Sequence, residues 1–571
     1  MGYLASALSP EARTAALEDM ASDELDVLVI GGGVVGTGSA LDAATRGLRV
    51  GLVEMNDWAS GTSSRSSKLL HGGLRYLEML DFGLVREALR ERGLILNELA
   101  PYLSRPVPFL YPLTHRVWER AYVGAGVLLY DTMGLERGAS RGLPRHRHIS
   151  HRKAMRIAPG LRGDALVGAV QYHDGQIDDA RHTMLLARTA VAHGALAASR
   201  VRAIGFLREG ERVTGARLHD LETDQSFEVR AAQVINATGV WTDETQRMVG
   251  ERGAFNVRAS KGIHLLVPRD RIRSESGLIL RTETSVLFVI PWGRHWIVGT
   301  TDTDWGLDRE HPVATAKDVD YLLGQVNSVL ERPLTHDDIE GVYAGLRPLL
   351  SGESASTSQL SREHAVAHAA PGLVVVAGGK YTTYRVMAED AVDAVVHGLR
   401  RRVAPCITTR TPIVGSIGYE ASRNRRHHIA RSSGLHVARI EHLLARYGSL
   451  YAEVLALLEA DPSLAEPLAG AEDHLRAEVV YAAASEGALH LEDVLERRTH
   501  ISIESGDGGR RVAPHVAELM AQVLGWDRAR RDRELARFLA AADGELEARR
   551  QPDDERAERV RLAAADIAET A

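Results

Sequence analysis

Residues 26–54 read DVLVIGGGVVGTGSALDAATRGLRVGLVE and decide the fold of the N-terminal part of the chain. The apolar, β-branched run at 26–30 is typical of a buried parallel strand. Small residues at 34–45 predict a helix, which Gly47 ends. Residues 49–53 then form a second apolar run. The stretch therefore predicts a strand–helix–strand unit of a parallel sheet.

Gly31, Gly33 and Gly36 form a GxGxxG pattern between the first strand and the helix. In such a unit the first glycine permits a tight turn, and the second lets backbone N–H groups approach a diphosphate. The third allows the helix to pack closely on the strand. The diphosphate lies at the positive end of the helix. Glu54, about 20 residues after the glycines, can accept hydrogen bonds from an adenosine ribose. We therefore expect a dinucleotide, either NAD or FAD.

Composition limits the remaining possibilities. A chain of 571 residues is too long for one core, so we expect two or three domains. The net charge of −7 argues against a general nucleic-acid binder. The single cysteine, Cys406, excludes an internal disulfide, a CxxC redox pair and a cysteine-built zinc site. The sequence predicts no metal site. No secretory signal or membrane span is predicted, so we expect a cytoplasmic protein, with attachment to a membrane surface left open.

Residues 58–76, WASGTSSRSSKLLHGGLRY, follow the second strand. Small hydroxylated residues and the glycines Gly61, Gly72 and Gly73 predict a loop whose backbone can lie close to a flat ligand. The alternative is a plain surface loop. Its position directly after the dinucleotide unit favours a loop that covers the cofactor.

Six segments occur in order along the chain: SGTSSRSSKLLHGGLRYLE (60–78), INATGVWTD (235–243), KGIHLLVP (261–268), VGTTDTDW (298–305), GLRPLL (345–350) and GGKYTTYR (378–385). Together they resemble the FAD-dependent glycerol-3-phosphate dehydrogenase family. The resemblance runs from about residue 23 to 400 and continues more weakly through EVVYAAASEGALHLEDVLERRT (478–499). It implies FAD as the cofactor, oxidation of sn-glycerol 3-phosphate to dihydroxyacetone phosphate by hydride transfer, and electron transfer to a membrane quinone.

The expected fold is α/β. A Rossmann-type FAD-binding domain, similar to D-amino-acid oxidase, carries an inserted β-rich substrate domain and is followed by a C-terminal all-α domain. Short β-runs and turns at 200–237 predict an antiparallel meander that returns to a buried parallel strand. The predicted domains are 23–100, 180–255 and 362–400 for FAD, 101–179 and 256–361 for the substrate, and 401–571 for the helical domain.

The resemblance also implies which residues contact the cofactor. A turn at 378–380 precedes a helix from about residue 382, whose positive end could face the flavin N1–C2=O edge. The expected cofactor-binding residues are Gly31, Gly33, Gly36, Glu54, Thr62, Ser63, Ser67, Lys68, His71, Gly72, Thr238, Gly239, Gly379, Lys380 and Thr382.

A substrate phosphate carries about two negative charges and is best held by converging arginines and lysines. The cationic candidates lie in or near segments that resemble the active-site motifs of the family. Tyr76 can add a hydroxyl. We expect Arg75 and Lys380 to bind the phosphate and Arg347 to bind the phosphate or the C2 oxygen. The expected substrate-binding residues are Arg75, Tyr76, His264, Arg347, Arg362 and Lys380.

Oxidation at C2 also requires a base that accepts the hydroxyl proton, and histidine titrates in the useful range. His264, on a predicted strand of the substrate domain, is the first candidate, and His264 and Arg347 are the expected catalytic residues. His71 is the alternative base, although its place in the loop over the flavin suits cofactor contact.

Other functions stay open at this stage. An oxidase with oxygen as the acceptor would use the same motifs. An FAD-dependent amine or amino-acid oxidase would need fewer converging cations, and a non-catalytic flavoprotein would never be reduced by substrate. The expected partners are glycerol 3-phosphate, a quinone, a second copy of the chain in a dimer, and possible contact with the inner face of the plasma membrane. The basic run at 141–156 could face anionic lipid, but we favour a solvated loop there.

Overall fold

Eight segments of the computed structural model are described here. Arg75, Tyr76 and Arg362 lie outside them. The described segments are residues 6–73, 81–115, 118–135, 143–250, 255–282, 286–350, 364–399 and 401–570.

The described strands, in chain order, are β1 (Leu25–Ile30), β2 (Val50–Val53), β3 (Leu69–Leu70), β4 (Ser104–Leu113), β5 (Arg147–Ser150), β6 (Gly168–Ile177), β7 (Leu196–Ala198), β8 (Val201–Glu209), β9 (Arg212–Asp220), β10 (Gln225–Asn236), β11 (Val257–Pro268), β12 (Gly277–Arg281), β13 (Val286–Trp292), β14 (His295–Gly299), β15 (Thr303–Trp305), β16 (Gly341–Leu350), β17 (His364–Ala370), β18 (Leu373–Gly378), β19 (Pro467–Leu468) and β20 (Ala471–Leu475).

The described α-helices are α1 (Pro10–Ser22), α2 (Val34–Thr45), α3 (Phe82–Leu94), α4 (Trp118–Leu135), α5 (His151–Ile157), α6 (Asp179–Ala192), α7 (Thr242–Arg247), α8 (Ala316–Asn327), α9 (Tyr384–Gly398), α10 (Tyr419–Asn424), α11 (Arg426–Ser433), α12 (Val437–Tyr447), α13 (Tyr451–Ala460), α14 (Arg476–Ser485), α15 (Ile501–Glu504), α16 (Ala513–Leu524), α17 (Arg528–Ala548) and α18 (Asp554–Thr570).

The first sheet has the order β17-β18-β10-β1-β2-β7. The pairs β18/β10, β10/β1, β1/β2 and β2/β7 are parallel. The first half of β10 pairs with β9 in an antiparallel meander, and its second half enters the parallel sheet. The predicted meander is therefore confirmed. Because the central strands are parallel, their carboxyl ends meet at one edge, where α/β folds bind ligands.

Both faces of the first sheet are covered, which explains its continuous apolar runs. Val27 and Val29 of β1 belong to the core under α2, α6 and α9. Leu28 points to the opposite face, where it shares a core with Met20 of α1 and the meander residue Leu218. The alternation of side chains along β1 thus fills two cores with one strand.

The second sheet has the order β15-β11-β14-β13-β12-β4-β6-β3, with β16 on β11 and β5 on β6. Its long strand β11 pairs with β16 from Val257 to Leu266 in antiparallel register. Ile263, Leu265 and Val267 pack into the core beneath α8. The intervening residues of β11, among them Gly262 and His264, face the other way. This alternation decides which side chains of β11 can meet a ligand.

Three local predictions differ from the structure. The helical apolar period of residues 82–99 predicts one helix, which in the structure changes at Ile95 into a π-helical turn (Ile95–Leu99). The basic run expected as a loop contains β5 and α5. The C-terminal part, expected to be all-α, contains the hairpin of β19 and β20, whose turn uses Gly470 at φ +89°. These strands are too short to give an alternating pattern in the sequence.

Within the described residues, none of the helices is both long enough and apolar enough to cross a bilayer.

A buried ion cluster fastens the helical part to the first sheet. Asp57, in the loop after β2, accepts hydrogen bonds from Arg498 Nη1 and Nη2 at 2.7 and 2.8 Å and from Arg497 Nε at 2.6 Å. Burial alone would raise the pKa of Asp57, but the charges of Arg498 and Arg497 outweigh it and lower this pKa to about 2. The carboxylate therefore stays charged and paired.

We expect Asp57→Asn to lower the free energy of unfolding by about 3–5 kcal/mol, because it removes the carboxylate that pairs with the buried Arg498 guanidinium and one of the carboxylates around Arg497. Urea unfolding of both proteins measures the difference. The control Asp23→Asn breaks an exposed pair with Arg49 at 3.0 Å and should cost at most about 1 kcal/mol. Equal losses for the two variants would contradict the role given to the cluster.

Candidate active site

A cavity of ≈ 610 Å³ lies between the carboxyl edge of the first sheet and the pair β11/β16 of the second. Ile30, Ala237 and Gly378, at the ends of three parallel strands, line it. Its volume falls within the range of about 300–1,000 Å³ that ligand pockets show. The cavity therefore sits where the parallel topology predicts a cofactor.

The three glycines of the fingerprint have separate roles. Gly31 has φ +115°, and a Cβ there would lie 2.6 Å from the Ala237 carbonyl oxygen. A Cβ at Gly36 would lie 1.9 Å from the Gly31 carbonyl oxygen, so Gly36 serves helix–strand packing. Gly33 borders the cavity, and the one described atom that a Cβ there would meet is Ser63 Oγ, at 3.2 Å. The N-terminus of α2 is thus left open to a diphosphate, which fits FAD.

Glu54 lines the cavity at the end of β2. Its carboxylate accepts hydrogen bonds from the backbone N–H groups of Gly32 at 2.5 Å and Asn56 at 2.8 Å. Burial raises the pKa of Glu54, and the two backbone donors oppose this effect. A carboxylate held at this strand end is placed to accept hydrogen bonds from a ribose.

The loop that follows forms one wall and is fastened to both sheets. Ser63 Oγ accepts a hydrogen bond from Val34 N at 2.9 Å, at the start of α2. Thr62 Oγ1 donates to the Leu346 carbonyl of β16 at 2.6 Å. His71, further along the loop, also lines the cavity. The backbone of the loop therefore stands between the two sheets.

The turn after β18 forms the opposite wall. Gly378 and Gly379 have φ +77° and +83°, which directs Lys380 and the helical turn after it into the cavity lining. Thr382 Oγ1 donates to the His71 carbonyl at 3.3 Å, which joins this wall to the loop. Gly239 lines the cavity with φ +59° and has no atom within 4 Å of a would-be Cβ, and Thr238 lies beside it.

His264 lies on the second-sheet side of the cavity. Its ring stacks on Tyr343 with centroids 4.7 Å apart, because the two residues face each other in the β11/β16 register. Its Nε2 lies 2.8 Å from Ser67 Oγ, and its buried Nδ1 has no hydrogen-bond partner among the described residues. Burial, aided by the charges of Arg347 and Lys68, holds the pKa of His264 well below its usual range. The imidazole is therefore neutral.

Arg347 lies across the same face of the second sheet. Its guanidinium occupies the space above Gly262, where a Cβ would lie 2.4 Å from Nη2. Nη2 donates to Thr300 Oγ1 and to the Thr301 carbonyl, both at 3.1 Å, and Asp302 lies 3.4 Å from Nη1. These contacts hold one cation beside the neutral histidine.

The structure brings most of the expected site residues to this one cavity. Those that line it are Gly31, Gly33, Glu54, Thr62, Ser63, Ser67, His71, Thr238, Gly239, His264, Arg347, Gly379, Lys380 and Thr382.

Three expected cofactor residues lie elsewhere. Gly36 is part of the helix packing described above. Gly72 N donates to the Tyr130 hydroxyl at 2.8 Å, behind the wall. Lys68 is fully buried, and its Nζ binds Asp179 Oδ1 at 2.5 Å instead of facing the cavity. The positive φ of Lys68, +56°, accompanies this inward direction of its side chain.

Two residues of the site, Tyr343 and Gly262, were not predicted from the sequence. On β16, Tyr343 and Arg347 share one face because they are four residues apart. The period of the strand could therefore have suggested Tyr343 once Arg347 was chosen. Gly262 lies two residues before His264 and therefore on the same face of β11. Its place beside the base could also have been predicted from the alternation of side chains along a strand.

The comparisons with known proteins agree with this geometry. The FAD dependent oxidoreductase family model matches residues 26–385, and the model of the C-terminal domain of alpha-glycerophosphate oxidase matches residues 406–531. Glycerol-3-phosphate dehydrogenase 2 of Mycobacterium tuberculosis (strain ATCC 25618 / H37Rv) is 56% identical over 99% of this chain and 96% of its own length. The human mitochondrial glycerol-3-phosphate dehydrogenase is 35% identical over 92% of this chain and 74% of its own length.

A solved structure shows the same fold. The X-ray structure of the glycerol-3-phosphate dehydrogenase from Bacillus halodurans, complexed with FAD, superposes with a TM-score of 0.77 at 29% identity. The match covers 95% of this chain and 98% of that one. Family model, relatives and structure agree with the expected fold, cofactor and enzyme class. The chain belongs to the FAD-dependent glycerol-3-phosphate dehydrogenase family and is an FAD-dependent oxidoreductase.

Proposed function

We propose that this enzyme oxidises sn-glycerol 3-phosphate to dihydroxyacetone phosphate and passes the electrons to a quinone. The names of the relatives support the substrate. One observation of the structure carries the proposal: a buried neutral histidine, His264, lines the same cavity as Arg347 and Lys380. Such a site combines a proton acceptor with cations that suit a phosphate.

In this proposal His264 accepts the C2 hydroxyl proton at Nε2, the nitrogen that contacts Ser67. Tyr343 keeps the imidazole ring in place by stacking on it. Arg347 stabilises negative charge on the C2 oxygen or on the phosphate. FAD, when bound, supplies the acceptor for the hydride from C2. Since the imidazole is neutral before the reaction, it can take the proton as the hydride leaves.

The phosphate is assigned to Lys380 and, from the sequence, to Arg75, Tyr76 and Arg362. We assign the binding of FAD to those cavity-lining residues that were expected to contact the cofactor, of which Gly31 is the first in the chain and Thr382 the last. We also propose the domain division given above, with 23–100, 180–255 and 362–400 as the FAD-binding domain. A homodimer in the cytoplasm, attached to the inner face of the plasma membrane, completes the proposal.

The oxygen-dependent oxidase remains the second candidate, because its name occurs in the family model that matches residues 406–531. Peroxide yield, compared with the reduction of a quinone analogue, separates the two acceptors. An amine or amino-acid oxidase is less compatible with this cavity, because Arg347 and Lys380 would face a substrate that carries a single carboxylate.

We expect anaerobic addition of sn-glycerol 3-phosphate to bleach the flavin absorbance of the holoenzyme. Glycerol and D- or L-amino acids should leave it oxidised, because they offer no phosphate to Arg347 and Lys380. An absorbance titration measures this directly. Bleaching by an amino acid but not by glycerol 3-phosphate would replace the proposal with the amino-acid oxidase.

We expect His264→Ala to slow anaerobic flavin reduction about 10²-fold or more, because the C2 proton then has no acceptor. Stopped-flow absorbance measures the rate. His71→Ala is the matched variant, since His71 was the alternative base and lines the same cavity. A normal rate in His264→Ala with a slow rate in His71→Ala would move the base to His71.

A further inference from the structure

Loop 306–313, which follows β15, forms a third wall of the cavity. Its cavity-lining residues are Asp308, Arg309 and Glu310. Glu310 Oε1 accepts a hydrogen bond from Asn56 Nδ2 at 3.3 Å, and the backbone N–H of Asn56 donates to Glu54 at 2.8 Å. Because Glu54 is placed to accept hydrogen bonds from the ribose, this wall stands at the adenosine end of the FAD site.

Arg309 extends from the loop to the first-sheet side of the cavity. Its Nη1 donates to the Val240 carbonyl at 2.6 Å and lies 3.4 Å from Glu244 Oε1. Val240 precedes α7, Glu244 lies in α7, and both line the cavity. The guanidinium of an arginine stacks well on flat aromatic rings. Arg309 is therefore suited to contact an adenine that enters between the loop and α7.

The C-terminal helices α17 and α18 contact this loop. Glu558 Oε1 accepts a hydrogen bond from the backbone N–H of Asp308 at 2.6 Å. Further along the loop, Val313 shares a small buried core with Ala548 of α17 and Ala557 of α18. The loop is thereby fixed to the helix pair on both sides of its cavity-lining part.

A buried lysine joins α18 to the loop and to β11. The side chain of Lys261 is 1% exposed, and its Nζ lies 5.1 Å from the centroid of the Trp305 ring. The ammonium group donates to Asp318 at 2.6 Å, to the Val313 carbonyl at 3.3 Å and to Asp554 of α18. An ammonium group has three hydrogens, and these acceptors use all of them. Removal of Asp554 alone would leave the cation paired with Asp318.

The other end of α17 is fixed to the rest of the protein. Glu534 of α17 lies 2.9 Å from His490 Nδ1, and the opposite nitrogen of His490 lies 2.7 Å from Glu222, in the turn between β9 and β10. The two helices also pack closely on each other, since a Cβ at Gly544 would lie 2.5 Å from Ala564 Cβ. The helix pair can therefore act as a rigid support for the loop.

The helix pair lies outside the part of the chain that determines the FAD-binding fold. The match with the oxidoreductase family model ends at residue 385, and the match with the C-terminal model ends at residue 531, shortly after α17 begins. Loop 306–313 itself contains neither helix nor strand. Its position therefore depends on the residues that it packs against.

We propose that loop 306–313 closes the adenosine end of the FAD site and that Asp554 and Glu558 of α18 are positioning residues that hold the loop closed. Their contacts place Arg309 and Glu310 before the cofactor binds. Such preorganisation strengthens binding, because less conformational entropy is lost when the ligand binds. This inference goes beyond the proposed function, since it concerns the retention of FAD and does not depend on the substrate or the electron acceptor.

The test measures the release of FAD from the full-length holoenzyme. After dilution, the double variant Asp554→Ala, Glu558→Ala should release FAD about tenfold or more faster than the wild type, because the loop is no longer preorganised. Flavin absorbance of the ultrafiltrate, followed over time, measures the rate. The matched control Asp532→Ala, Glu555→Ala removes two exposed carboxylates from the same helices and should release FAD as the wild type does.

A third variant shows whether the helices act through the loop. Arg309→Ala should also speed the release of FAD, since it removes a side chain of the loop from the site. When Arg309→Ala is combined with the double variant, the two effects should not multiply, because both changes impair the same wall. Effects that multiply fully would show that α18 acts elsewhere and would overturn the proposal.

A general loss of structure is detected separately. The apoproteins of the wild type and the double variant should unfold at nearly the same temperature, since Lys261 keeps Asp318 as its partner. A clearly lower midpoint in the double variant would replace the positioning role with a general structural one and would overturn the proposal. Release at the wild-type rate from the double variant or from Arg309→Ala, or equally fast release from the control, would overturn it as well.

Discussion

The site depends on glycines whose backbone, without a side chain, borders the cavity on both sides. On the first-sheet side, Gly33 leaves the start of α2 open. On the second-sheet side, Gly262 and Gly345 face each other in the β11/β16 register, between the His264/Tyr343 pair and the Ser260/Arg347 pair. A side chain at Gly262 would displace the Arg347 guanidinium. Gly33 thus leaves space for a ligand, whereas Gly262 and Gly345 leave space for Arg347 and Arg65.

Buried ion pairs hold these bare surfaces in position. Lys68 and Asp179 join the loop after β2 to the start of α6, and Asp179 also accepts hydrogen bonds from the backbone and side chain of Ser66. Ser67, between these anchors, is thereby held beside His264. A base that is held in one position contributes more to catalysis than a mobile base does. The main role of this network is therefore to fix the position of the residues around His264, and the charge of its members matters less.

Local sequence patterns were sufficient to predict those elements whose structure depends on residues close to them in the sequence. The β1–α2–β2 unit follows from a fingerprint of contiguous residues, and His264 and Arg347 were chosen because their short segments resemble known motifs. The partners of these residues depend on distant pairings. The stack of Tyr343 on His264 requires the register of β11 and β16, and the inward direction of Lys68 requires Asp179, 111 residues away.

The first sheet leaves its backbone open for the diphosphate of FAD, and a substitution of Gly33 is the sharpest test of this arrangement. Because a Cβ there meets only the Ser63 hydroxyl, Gly33→Val should fold but block the cofactor. The measurement is flavin absorbance after reconstitution of the apoprotein, beside a thermal unfolding curve. We expect a folded, colourless protein. A folded Gly33→Val protein that binds FAD as tightly as the wild type would contradict it.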